Sequence, residues 1–268
     1  MKTIRIMMVV FAVFVLCIGG LGAQSLKGMS LNGSTGLYSI PTGRIGWEKS
    51  SDFGLDLGYH AIFGDGYVSH IPKASLSLFK WVELSFALDV QPDVNKHQSD
   101  NNDFIGGIKI QFPVTKTAVA LGGNLQSLNL GSSGYRRYNA GQIYLAVSYA
   151  GVFFEMPAET TVVVGKTFKE NHSDSNIDFG MGFDLILLPK VFERYVHWIV
   201  DFANFSYSVE AWKVDPWNRG VLNTGIRIDM TIIPVFKKFK FVIDILATDI
   251  LDESRAFSIG GVFGVPIL

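Results

Sequence analysis

The chain has 268 residues, of which 48% are hydrophobic and only 18% charged, short of the roughly 25% charged residues of average soluble proteins. Its mean hydropathy is +0.27, yet after the first residues no apolar run reaches the ~18 needed for a spanning helix. Disorder, collagen-like repeats, coiled coil and a helical membrane bundle are excluded.

Lys2 and Arg5 precede an unbroken apolar run from Ile6 to Ile18, and Gly20, Gly22 and Ala23 supply small residues before Gln24. This is the pattern of a cleaved secretory signal peptide over residues 1–23. Cys17 raises lipid attachment as a rival, but bulky Leu16 stands before it where a small residue is wanted. Without the leader the chain has no cysteine, so disulfides and thiolate metal sites are excluded. Basic residues then fall from 23 to 21 against 24 acidic, which gives no support to a nucleic-acid partner.

Residues 24–50 are expected to form an N-terminal periplasmic or luminal segment. Pro41 cannot donate to a sheet ladder, and Thr42-Gly43 permits a sharp bend. The segment is too short to be a soluble plug domain. Two readings stay open: an extended strip entering the barrel or following its periplasmic rim, with Arg44 meeting luminal acids, or an ordinary periplasmic leader.

From Ser51 onward the chain alternates with a period of two, which sends successive side chains to opposite faces of a sheet. Ile177, Phe179, Met181, Phe183, Leu185 and Leu187 alternate with Asp178, Gly180, Gly182, Asp184 and Ile186. Leu222 to Ile232, Phe239 to Ile245 and Phe257 to Ile267 repeat the pattern. The segments fall near 51–62, 73–80, 81–90, 103–112, 116–126, 140–150, 159–169, 176–188, 196–210, 219–232, 236–247 and 255–267. Most approach the ~9–11 residues that cross a bilayer as a tilted strand. One face is mostly apolar, while the other mixes small residues with charge, as where side chains crowd a lumen. The expected fold is all-β: a transmembrane antiparallel up-and-down β-barrel of about twelve strands over residues 51–268.

Loop lengths give a second line. Connections at 91–102, 127–139 and 170–175 are long and polar, whereas those after 80, 112 and 232 are short. Long and short connections alternate between the two rims of outer-membrane barrels. The stretches 151–159 and 189–195 are longer than inner turns usually are. Twelve strands put the C-terminus on the short-turn, periplasmic side. Trp81, Tyr149, Trp198 and Trp212 fall near strand ends, where aromatic girdles sit. The ending Gly260 to Leu268 resembles the C-terminal signal read by the barrel-assembly machinery, with Leu268 in place of the commoner Phe or Trp.

The polar face collects Asp52, Asp56, Glu83, Asp89, Asp103, Asp178, Asp184, Asp201, Asp229 and Asp244. Against these stand Lys109, Arg227 and Lys240, with His60 and His197. Two readings of the set are open: an ion-pair network bracing the barrel, or an acidic pathway favouring cations. Asp56/His60 and His197/Asp201 are spaced as Asp–His dyads, but no G-x-S-x-G nucleophile motif accompanies them, and the chain is not read as an enzyme. Gly131-Ser132-Ser133-Gly134 lacks the Lys-Ser or Lys-Thr of a phosphate loop. Tyr135 to Tyr138 is read as an exposed loop, with a surface contact as the alternative. His70, His97 and His172 lie apart in loops at no metal-ligand spacing. No cofactor is expected.

Ser34 to Arg44 reads STGLYSIPTGR. It resembles the TGL-x-x-x-PT-x-R opening of YjbH/GfcD-like outer-membrane proteins in Gly36, Leu37, Pro41, Thr42 and Arg44. Leu57 to His60 stands where that family has G-x-x-Y-H-like text. The resemblance implies an outer-membrane barrel linked to exopolysaccharide export, and it transfers no catalytic residues.

The functional expectation is a passive pore or envelope export component with an acidic lumen. It would sit in outer-membrane lipid and admit small cationic or neutral solutes, or polysaccharide. The alternative is a sealed structural or surface-interaction barrel working through loops 91–102 and 127–139. A carrier of hydrophobic ligands would need an apolar luminal stripe, which the sequence does not display.

Overall fold

The computed structural model describes residues 28–47, 51–64, 67–91, 101–112, 117–129, 137–169, 177–204, 220–230, 233–236, 239–251 and 255–267. The leader, Trp212, His97, His172 and loop residues 131–136 lie outside them. The strands are β1 (Phe53–Gly64), β2 (Tyr67–Leu78), β3 (Val82–Gln91), β4 (Asn101–Phe112), β5 (Thr117–Asn129) and β6 (Arg137–Phe153), followed by β7 (Met156–Lys169), β8 (Asp178–Ile186), β9 (Val196–Ala203), β10 (Val221–Asp229), β11 (Lys240–Thr248) and β12 (Ala256–Pro266). Each pairs antiparallel with its sequence neighbours, and β1 pairs with β12 to close the ring. This is a twelve-stranded, up-and-down transmembrane β-barrel.

Closure leaves no open sheet edge, so the ladder groups of the wall pair within it apart from a break beside Pro72, the condition for crossing hydrocarbon. The two faces part as the period-two pattern requires. Leu57, Leu84, Ile108, Leu121, Ile143, Leu145, Ile245, Ile259 and Phe263 are exposed on the outside. Asp56, Glu83, Lys109, Asp184, Asp201, Arg227 and Asp244 are buried on the inside. A soluble sandwich would bury the first set and wet the second; the arrangement here is reversed.

Several boundaries differ from the sequence reading. β2 begins at Tyr67, so β1 and β2 meet in a hairpin with Gly64 opposite Tyr67, and His70 lies in a strand rather than a loop. Pro72 disguised this strand: its ladder to β3 skips from His70 to Lys73, because proline has no N–H to give. β6 and β7 run to Phe153 and from Met156, leaving a tight turn of Phe154 and Glu155, both with positive φ (47° and 63°). β9 stops at Ala203 and β10 starts at Val221, which makes 204–220 a long connection. The link between β10 and β11 spans 230–239 and contains a 3-10 turn at Pro234–Phe236, longer than the three residues expected.

Candidate functional site

Residues 28–47 form no regular strand. They make two isolated bridges, Met29 to Thr35 and Gly36 to Pro41, that fold the segment into a hairpin. Apart from half-buried Leu31 and Ser39 it is buried throughout, and its partners come from strands all round the ring. A segment bonded to β1, β2, β3, β4, β6, β7, β9 and β10 together lies inside the barrel.

The wall holds the hairpin mainly by its backbone. The N–H groups of Tyr38 and Ser39 both donate to Oδ2 of Asp201 at 2.7 Å, and the Ser39 hydroxyl donates to Oδ1 at 2.9 Å. Glu83 accepts from the N–H of Thr35 at 2.7 Å, from its hydroxyl at 2.5 Å, and from the N–H of Gly46 at 3.1 Å. The N–H of Gly43 donates to Ser148 at 2.8 Å, and that of Ile45 to Gln111 at 2.8 Å. Cations take the carbonyls. Lys73 donates to Met29 and Ser30 at 3.1 and 2.9 Å, Lys109 to Thr35 at 2.9 Å, and Arg227 to Gly36 and Leu37 at 3.1 and 3.4 Å. Buried backbone groups must find such partners; in an irregular segment the side chains of the wall supply them.

Two side chains fix the far end. Arg44 pairs with Glu159. The Trp47 indole N–H donates to Asp56 at 2.8 Å, beside a Lys240 ammonium 5.4 Å from the ring centre. Gly54 and Gly264 make the room: a Cβ on either would meet the Trp47 ring. Gly182 does the same for Leu37. Gly54, Gly264 and Gly182 are thus docking surface for the hairpin.

Register explains the ion pairs. Glu83 lies opposite Lys109 and Arg227 opposite Asp244, and both couples are salt-bridged, at 3.0 Å and 2.7 Å. Lys240 reaches Asp56 at 2.6 Å. Asn223, opposite Asp201, donates to it at 2.8 Å. Nearer the long-loop rim, Ser69 donates to Asp89. Gln142 donates to Thr167 and, with it, to Asp178. Asp89 lies opposite Asp103, and both are buried, as is Asp229.

Two expectations need correction, and the two Asp–His spacings set aside above do not come together. Asp52 precedes β1, is exposed and pairs with Lys80 at 3.1 Å, so it is not part of the inward set. Neither dyad assembles: His60 is 3.4 Å from Asp244 and His197 is 2.5 Å from Asp184, while Asp56 and Asp201 are committed elsewhere. The shared face of one strand was the wrong criterion, since cross-strand neighbours are nearer. The interior also contains an apolar layer that the sequence reading missed. Leu37, Tyr38 and Ile40 of the hairpin pack with Ile62, Ile71, Ala87, Ile105, Tyr144 and Leu246 of the wall.

Sequence reasoning also missed Glu159 and Lys73. Each stood at the first position of its assigned segment, where no preceding residue shows the alternation. His70, on the outer face, accepts or donates a 2.5 Å bond with the Tyr59 hydroxyl. Among the described residues no group of three His, Cys, Asp or Glu side chains is placed to hold a metal ion.

These features define a transmembrane barrel with an occupied interior. Among solved structures the chain is similar in fold to the KdgM porin, with a TM-score of 0.51 and 12% identity over 78% of this chain and 98% of that one. The KdgM porin in complex with disordered oligogalacturonate matches to the same extent. The Acinetobacter baumannii outer membrane protein Omp33 aligns with a TM-score of 0.45 and 8% identity over 80% and 99% of the two chains. No family model and no curated protein sequence matches the chain.

Proposed function

We propose that this protein is an outer-membrane channel held closed by its own residues 28–47. The observation that carries the reading is the set of hydrogen bonds from Asp201, Glu83, Lys73, Lys109 and Arg227 to the hairpin backbone. A folded hairpin bonded to strands all round the ring obstructs the interior, so the resting channel does not conduct. The apolar outer band supports the location in outer-membrane lipid, reached through a cleaved leader and inserted by the barrel-assembly machinery.

The resemblance to YjbH/GfcD-like proteins supplies the setting, an envelope export system. The five residues that carry it belong to the hairpin. Once the hairpin leaves, Glu159 loses Arg44 and Asp201 loses its two N–H donors, so the opened lumen is richer in uncompensated carboxylate. Small cationic or neutral solutes suit such a lumen. Purified protein in planar bilayers is expected to be silent, and a steady conductance from the intact chain contradicts the closed state. A steady conductance with cation preference supports the open acidic pore instead.

A further inference from the structure

The five short connections, 79–81, 113–116, 154–155, 187–195 and 230–239, share one rim, because consecutive strands of the ring run antiparallel. A turn that meets only water is expected to be polar, with Gly, Asn or Asp where φ is positive. Several of these turns are built otherwise. Phe79, Phe154 and Leu188 hold φ at 55°, 47° and 39°, so a large apolar side chain is kept where the backbone disfavours any. Phe154, Val235, Val191 and Phe79 are 79%, 77%, 67% and 57% exposed, and Trp81, Leu188 and Phe192 are exposed as well. Apolar surface left open in this way marks a contact.

Position and charge identify the partner. The turns 79–81 and 187–195 are six strands apart in a ring of twelve, hence on opposite sides of the barrel. A docked protein would have to cover the whole circumference to meet both, whereas a bilayer surrounds the barrel and meets every turn. The outward row of β6 also leads into a tip: Ile143, Leu145 and Phe153 are exposed, and Phe153 packs edge-on against Phe154 with ring centres 4.4 Å apart. The short connections carry Lys80, Lys116, Lys190, Arg194, Lys237 and Lys238 against Glu155 and Glu193. The long connections, 65–66, 92–100, 130–136, 170–177, 204–220 and 249–255, carry ten acids against five bases. Cations set beside apolar side chains, as in Phe79-Lys80-Trp81 and Lys190-Val191-Phe192, suit a layer whose phosphates overlie hydrocarbon.

We propose that the short-turn rim is seated in the headgroup layer of an anionic phospholipid leaflet. The apolar tips enter the edge of the hydrocarbon, and the exposed Lys190 and Arg194 meet lipid phosphates. Lys80, which also pairs with Asp52 at 3.1 Å, does so on the opposite side of the ring. This contact belongs to the wall alone and stands whether or not the channel is closed.

The test uses the full chain with Cys17→Ser and one cysteine at an exposed tip, Phe154→Cys, Val191→Cys or Val235→Cys. Each protein is inserted into vesicles of phosphatidylcholine and phosphatidylglycerol in equal parts and spin-labelled. Collisions with dissolved oxygen, which partitions into lipid, should exceed those with a water-soluble nickel chelate at all three sites. Collisions dominated by the chelate place the tips in water, as a rim awaiting a protein partner would show, and overturn the proposal. A dye on the Val191→Cys chain then reads lipid preference through quenching by acyl-brominated phosphatidylglycerol or phosphatidylcholine. The anionic lipid should be preferred about threefold or more, and the preference should vanish at high salt or with Lys190→Gln and Arg194→Gln together. Equal quenching by the two lipids, or a preference that survives the double substitution, also overturns it.

Discussion

The wall and the segment inside it satisfy the same requirement by opposite means. In the wall the N–H and C=O groups pair with neighbouring strands, save at the break beside Pro72, and side chains choose a face. In residues 28–47 the backbone has almost no ladder, and the charged side chains of the wall do the pairing. The wall is therefore tolerant of sequence within a face, whereas the segment depends on individual residues such as Asp201 and Glu83. Charge that is expensive to bury becomes useful where it meets a backbone that has no sheet of its own.

That difference can be broken at its junction. Arg227 bonds both to Asp244 of the wall and to the carbonyls of Gly36 and Leu37. Asp244→Ala leaves the guanidinium buried without its carboxylate and is expected to cost about 3–5 kcal/mol, measured by denaturant unfolding in detergent. A wall-only lesion comes next: Ile108→Arg puts a cation on the lipid face and should cost about 2–4 kcal/mol in a bilayer, with the hairpin still seated.

A segment-only lesion is smaller. Asp201→Asn weakens the acceptor for the N–H groups of Tyr38 and Ser39 and is expected to cost about 1–3 kcal/mol. It should raise the access of water-soluble reagents to the hairpin while the strand signal stays unchanged. Smallest is a gain: Glu155 holds φ at 63°, a conformation that disfavours side chains, and Glu155→Gly should add about 1 kcal/mol of stability. It touches only the turn and should leave the hairpin as it was.

How much could be read from the sequence follows from the same contrast. Period two exposed the twelve strands because lipid on one side and a crowded interior on the other enforce alternation. It failed where that contrast lapses. Ala61-Ile62-Phe63 and Ile245-Leu246-Ala247 are apolar on both faces, so the inward Ile62 and Leu246, and with them the apolar layer, were hidden. Pro72 masked a strand start, and Glu159 and Lys73 escaped by standing at segment edges. For residues 28–47 no period exists; Pro41 and Arg44 pointed toward the barrel without choosing between interior and rim. The partners of Tyr38 and Ser39 lie more than 160 residues away, and no local pattern carries that information.

The central claim is that residues 28–47 fill the barrel, and its most direct test is chemical access at Ser34, which is buried at 1% exposure. Ser34→Cys, made with Cys17→Ser, is incorporated into lipid vesicles and treated with a water-soluble maleimide. The folded protein should resist labelling and react fully once unfolded. Labelling of the folded protein as fast as that of a cysteine placed at exposed Asp52 contradicts the occupied interior.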